Sequence, residues 1–217
     1  NNDLNVALMR FNTNAEGGRV IFPFTDIDAT GVKTNFKNTV DTLGASGGTP
    51  LAETMREASR VFRGESAFYG TQAAGADSGA FEANGSTYNS PLDFQCQKNF
   101  IVYLTDGAPT SDSSADSNIR SLLSGVNLPS NDKTCAHSAD NCLDEMAEFM
   151  NESDQSSSLD GDQNVVSYMI GFFSNQTLLS NAATKGGGQY YLADSYTQLS
   201  NAFTQIITQI QAVNSTF

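Results

Sequence analysis

Basic residues are scarce in this chain: 11 Lys and Arg stand against 24 Asp and Glu over 217 residues, a formal net charge of −13. Nucleic acid and anionic membrane surfaces are bound through clustered cations, so this balance argues against both as partners. It is compatible with divalent cations and equally with plain solubility. There is one histidine, His137, and one imidazole cannot serve as two acid–base groups. No G-x-S-x-G, phosphate-binding loop or HExxH occurs, so no enzyme activity is expected. No stretch approaches the roughly 18 apolar residues of a membrane span, and no signal peptide stands at the start. The opening, NNDLNVALMRFN, has no Met and enters a strand candidate almost at once. The chain therefore reads as a processed or trimmed piece of something larger. Sparse Lys, abundant Asn, Ser and Thr, and closely spaced cysteines suit an extracytoplasmic setting.

What is present is enough for one well-cored domain with an insertion. Apolar residues make up 39% of the chain, low for a globular protein, so the polar excess belongs in loops. The organising stretch is Phe100 to Asp106, FIVYLTD. Five apolar or aromatic residues run there without alternation and stop at polar turn residues. That pattern predicts a strand buried on both faces, as in a parallel sheet. Asp106 closes it, at the carboxyl end of a central strand, where open α/β sheets bind ligands.

Around that strand the elements follow in order. Val6–Phe11 and Arg19–Phe24 predict an antiparallel hairpin, with Pro23 pushing the second strand to the sheet edge. Asn35–Leu43 predicts a short helix with Phe36, Val40 and Leu43 on one face. Gly44-Ala-Ser-Gly-Gly-Thr-Pro50 then leads into a helix over Leu51–Arg63, with Leu51, Met55, Ala58 and Phe62 as its apolar stripe. Residues 65–97, rich in Gly, Ala, Ser and Asn, read as an insertion. Weak helix over Asn118–Leu123, helix over Leu143–Met150, a buried strand over Val165–Phe173, helix over Leu178–Lys185, a short strand over Gln189–Leu192 and helix over Leu199–Val213 complete the chain. Strands alternating with helices predict an α/β fold: a doubly wound, mostly parallel sheet with helices on both faces.

Several residues admit two readings. Thr49 either caps the helix after Pro50 or faces a ligand together with free backbone N–H groups. Asp106 is either a turn residue, Asp-Gly being a common turn pair, or a functional carboxylate. Cys135 and Cys142 flank His137; a local disulfide is the simpler reading, and a zinc site would need Asp140 or Cys96 at unfamiliar spacing. Asp160-Gly-Asp-Gln-Asn164 lacks the spacing and bidentate Glu of a calcium loop and reads as a solvated linker. Asp112 and Asp116 read as loop residues in the same way, as do the Asn84 and Asn175 sequons.

The pair GGTPL at 47–51, opening a helix, and an apolar strand ending in LTDG at 104–107 resembles a von Willebrand factor type A domain. The segments CQKNFIVYLTDGAPTSD (96–112) and GGGQYYLADSYTQLSNAFTQI (186–206), with the Gly/Asn-rich insertion, resemble the amino-terminal domain of PilY1-type type IV pilus tip adhesins. The resemblance implies a metal-ion-dependent adhesion site for Mg2+ or another divalent cation, with the Thr49 hydroxyl as direct ligand and Asp106 acting through water. It implies a non-enzymatic binding module, outside the cell at a pilus tip, whose partners are a host or surface ligand or other pilus proteins. One departure stands out. The family's first strand and its Asp-x-Ser-x-Ser loop are missing, and the literal match at Asp154–Ser158 follows a helix. Two of three metal loops supply too few oxygens for Mg2+, which implies a completing strand from another segment or chain. The alternative is a metal-free structural or assembly component acting through its loop surfaces.

Overall fold

The hairpin forms as its two apolar runs dictate. In the computed structural model, which describes residues 4–14, 16–136 and 141–214, β1 (Asn5–Phe11) pairs antiparallel with β2 (Gly18–Asp26), Asn5 opposite Asp26 and Phe11 opposite Gly18. Pro23 lies in β2, whose ladder among the described residues is with β1 alone. That is the edge placement a missing N–H requires. α1 (Val32–Asp41) starts three residues before the expected helix and rides on the surface with none of its residues buried. Phe36 still meets Phe22 edge-on at 5.3 Å, while Val40 and Leu43 face solvent.

α2 (Leu51–Phe62) carries the main core. Leu51, Ala52 and Met55 are fully buried, and the helix packs on β2, α3 (Asp116–Ser124) and α4 (Leu143–Glu152). Behind it lies a parallel sheet of three strands in the order β3 (Asn99–Thr105), β4 (Val165–Phe172) and β5 (Gly187–Ala193). Asn99 registers with Val165 and Thr105 with Gly171. α4 and α5 (Thr177–Lys185) join α2 on one face, in a single apolar cluster with Met146, Met150, Leu179 and Met169. α6 (Tyr196–Asn214) covers the other face over β4 and β5, burying Ile206 and Ala202 against Tyr168 and Ile170. The architecture is therefore α/β, with a short parallel sheet flanked by helices on both faces, compatible with a Rossmann-like arrangement.

Two expectations are corrected. β3 is not buried on both faces: Val102 and Leu104 are 37% and 40% exposed. They share a face with Tyr168 and Ile170 by register, but α6 lies over β4 and β5 and leaves the β3 portion bare. The strand expected over Gln189–Leu192 begins two residues earlier, with the glycines at 187 and 188 opening β5. Gly188 permits this, because a Cβ there would fall 2.3 Å from the Ser167 carbonyl oxygen.

Among the described residues no ladder joins the hairpin to the three-stranded sheet. β1 and β3 each keep one edge without a ladder there, and the Phe11 and Tyr103 rings lie 6.0 Å apart. The insertion at 65–97 is ordered. It builds a small core of its own from Phe81 stacked on Tyr88 at 4.9 Å, closed by Val20 and Val61.

Candidate functional site

The helix start at α2 determines what happens at the sheet's carboxyl rim. Pro50 occupies the N-cap position and no side chain caps from there, so the first amides of α2 need an acceptor from elsewhere. Asp112, seven residues past the end of β3 by sequence, supplies it: its carboxylate accepts from Ala52 N at 2.9 Å and Glu53 N at 3.0 Å, and from Asn141 Nδ2 at 2.7 Å. A carboxylate at a helix N-terminus is also favoured by the aligned peptide dipoles. Burial outweighs these bonds and pushes the Asp112 carboxyl up to about 6. Glu53, fully buried, holds the neighbouring loops by accepting from Gly17 N at 2.7 Å and from Ser114 N and Oγ at 2.9 and 2.7 Å. Asp112, expected to be an ordinary loop residue, is instead a buried cap of α2, and Glu53 is a rim residue that sequence reading does not single out. A helix with Pro50 at its N-cap position, which has no side-chain acceptor to offer, is the available signal.

With its capping role taken by Asp112, Thr49 is left for other work. Its backbone is clamped to the loop after β3, Thr49 N donating to Thr110 Oγ1 at 2.8 Å and Thr110 N to Thr49 O at 3.1 Å. The glycine loop before it lies against the β1–β2 turn so closely that a Cβ on Gly47, where φ is +96°, would fall 2.8 Å from Asn12 O. Only glycine takes that backbone without strain. Tyr103 Oη donates to Leu51 O at 2.9 Å, tying the same stretch to β3.

Asp106 leaves β3 at the same level. The turn behind it is fixed by Thr105 Oγ1, which donates to Gly107 O at 3.1 Å, and by Gln176 Nε2, which donates to that carbonyl at 2.7 Å. A Cβ built on Gly107 would lie 3.5 Å from Thr49 Oγ1. Thr49 and Asp106 together line a cleft of about 280 Å³ between the carboxyl ends of β1 and β3, whose other walls are Arg10, Phe11 and the loop from Leu43 to Gly48. The structure thus brings together the two residues singled out from sequence. Neither the Thr49 hydroxyl nor the Asp106 carboxylate, which is exposed, hydrogen-bonds to a described residue. Arg10 is engaged elsewhere, its guanidinium donating to Phe11 O and Gly44 O at 3.2 Å each.

Hard oxygens suit Mg2+, but two fall short of its six-coordinate shell. Among the described residues no group of three or more His, Cys, Asp or Glu is arranged to hold an ion. Asp154, in the literal Asp-x-Ser-x-Ser match, organises its own loop by accepting from Ser156 N and Gln163 N. That loop leads into the start of β4, at the end of the sheet opposite Asp106. Cys135 and Cys142 are joined in a disulfide, which removes both from the zinc alternative; His137 and Asp140 of that alternative lie outside the described residues. Cys96 is free and exposed. Asp116 pairs with Arg120 at 3.6 Å on α3.

A second acidic group is structural. Lys185 Nζ lies 2.8 Å from Asp144, 3.8 Å from Glu145 and 4.0 Å from Asp132. Burial, with Asp144 beside it, pushes the Glu145 carboxyl up to about 8. Burial works to lower the Lys185 ammonium, and Asp144 outweighs it, so that pKa is raised.

No family model, curated protein or solved structure matches this chain.

Proposed function

We propose that this chain is a non-enzymatic adhesion module of the von Willebrand factor A kind, acting outside the cell at the tip of a type IV pilus. The observation that carries the reading is the meeting of Thr49 and Asp106 at one cleft on the carboxyl rim, with neither the hydroxyl nor the carboxylate hydrogen-bonded to a described residue. In this reading a divalent cation such as Mg2+ is the cofactor. Thr49 holds it directly, Asp106 positions it through water, and an acidic group on a host or surface ligand takes an open position. The remaining oxygens come from a completing strand, contributed by another segment or chain. The unpaired edges of β1 and β3 and the bare face at Val102 and Leu104 suit such an addition. The Cys135–Cys142 disulfide supports an extracytoplasmic location.

The shortage of ion ligands among the described residues favours a second reading, a metal-free assembly component of the pilus tip working through its loops. The two are separated by measuring surface attachment of the polypeptide that carries this chain, in Mg2+ and in EDTA. Adhesion through the cleft predicts that chelation and Thr49→Ala each abolish attachment while assembly into pili is kept. Attachment that is the same with chelator, and unaffected by Thr49→Ala, rejects the metal reading in favour of the assembly role.

A further inference from the structure

We infer that Phe173 and Tyr196 form a stacking platform for a neutral saccharide, beside the Thr49–Asp106 cleft but independent of it. Phe173 follows β4 with φ +54°, a left-handed conformation that bulky side chains rarely adopt and that glycine takes freely. The turn is built to hold it. Phe173 N donates to Ala193 O at 2.9 Å, and Tyr190 Oη donates to Ser174 O at 3.1 Å. Gln176 Nε2 bridges Ser174 Oγ and Gly107 O at 2.7 Å each. Gly171 lets the chain double back, since a Cβ there would fall 2.1 Å from Ser174 O.

A backbone fastened to β3 and β5 in this way aims the Phe173 ring outward, 67% exposed, with Phe172 behind it at 4.5 Å. Tyr196, in the first turn of α6, flanks Phe172 from 5.7 Å and is 81% exposed. Strain kept at a residue whose ring then faces solvent points to use rather than folding. Thr105 is the last residue of β3 in register with β4, opposite Gly171, so Asp106 and Phe172 leave adjacent strands side by side.

The surroundings select the ligand. Asn175, Asp194, Ser195 and Thr197, each within two residues of Phe173 or Tyr196 in sequence, are all exposed, and no Lys or Arg occurs in 165–184 or after Lys185. Anionic sugars and phosphates meet no cation from these segments. A wholly apolar partner would strip water from the Asn175 amide and the Asp194 carboxylate without pairing them, which is costly. A neutral pyranose fits both parts: its C–H face lies on the rings, where aromatic faces carry partial negative charge, and its hydroxyls reach the amide and carboxylate.

The test is a titration of the isotope-labelled protein with cellotetraose, chitotetraose and mannotetraose, each in EDTA, followed by amide chemical shifts. At least one sugar gives saturable shifts confined to 172–176 and 194–198. Tyr196→Ala weakens that binding about tenfold or more, and Phe173→Gly does the same while its Tm equals or exceeds that of the parent, because glycine relieves the backbone. Thr49→Ala leaves the affinity unchanged. The platform is refuted if no sugar gives saturable shifts there, if binding survives both ring substitutions or falls with Thr49→Ala, or if a proline- and aromatic-rich peptide binds in place of the sugars.

Discussion

Asp112 shows how one side chain can couple helix formation to proton activity. Its carboxylate caps α2, yet burial raises its pKa from the ordinary 3.8 to about 6. An acid with a raised pKa binds more protons folded than unfolded, so stability falls as pH rises through the interval between the two values. Two pKa units correspond to about 3 kcal/mol at most. Chemical denaturation between pH 4 and 6 should therefore show the parent losing up to ~3 kcal/mol more than Asp112→Asn, with parallel curves above that range. Glu145 shifts in the same direction towards about 8. Its slope is common to both proteins and cancels in the difference.

At the scale of elements, α2 owes its central place to buried acids as much as to its apolar stripe. Glu57, fully buried, accepts from Phe68 N, Tyr69 N and Gly70 N at 2.9–3.2 Å and from Tyr88 Oη at 2.7 Å. It thereby organises the first part of the insertion. Glu57→Ala leaves three backbone donors without their acceptor, while Tyr88 Oη keeps Gly70 O at 3.1 Å, and should cost about 3 kcal/mol or more. Protease cleavage should then rise within 65–90, and unchanged susceptibility there would show that the insertion is held by other contacts.

The apolar pattern made most elements readable in advance. The VALMRF and RVIFPF runs, the 51–63 stripe and the VVSYMIGFF strand lie where periodicity put them, because burial on a regular face leaves a regular signal. The acids inside α2 were not legible. A stripe marks which residues face the core, but the acceptors that buried loop amides demand are fixed only in three dimensions. The bareness of Val102 and Leu104 was hidden for a related reason: an apolar run says that a strand can be covered, and the placement of α6 decides whether it is. At the rim, Thr49 and Asp106 were visible through their loops, whereas the strained turn at Phe173 lies inside an apolar run that gave no hint of it.

For the whole molecule the open edges set the colloidal behaviour. Among the described residues β1 and β3 each offer an unpaired row of backbone groups, and β3 adds an apolar face, the combination that promotes edge-to-edge association. Sedimentation velocity should show the 217-residue chain associating as its concentration rises. Leu104→Lys, which places a charge on the bare face, should weaken that association by about tenfold. A monomer for the parent across the accessible range would mean that the edges are already protected.

The missing ladder between hairpin and sheet has a mechanical corollary. Tension applied across the molecule, with one anchor on β1–β2 and the other on β3–β5, meets no row of backbone bonds loaded in shear among the described residues. It runs through α2 instead, by way of the Glu53 bond to Gly17 and the Tyr103 bond to Leu51. Those give way one at a time, like a zipper. Filling the gap with one more strand would turn this compliant joint into a clamp, so stiffness under load would report directly on whether the sheet is whole.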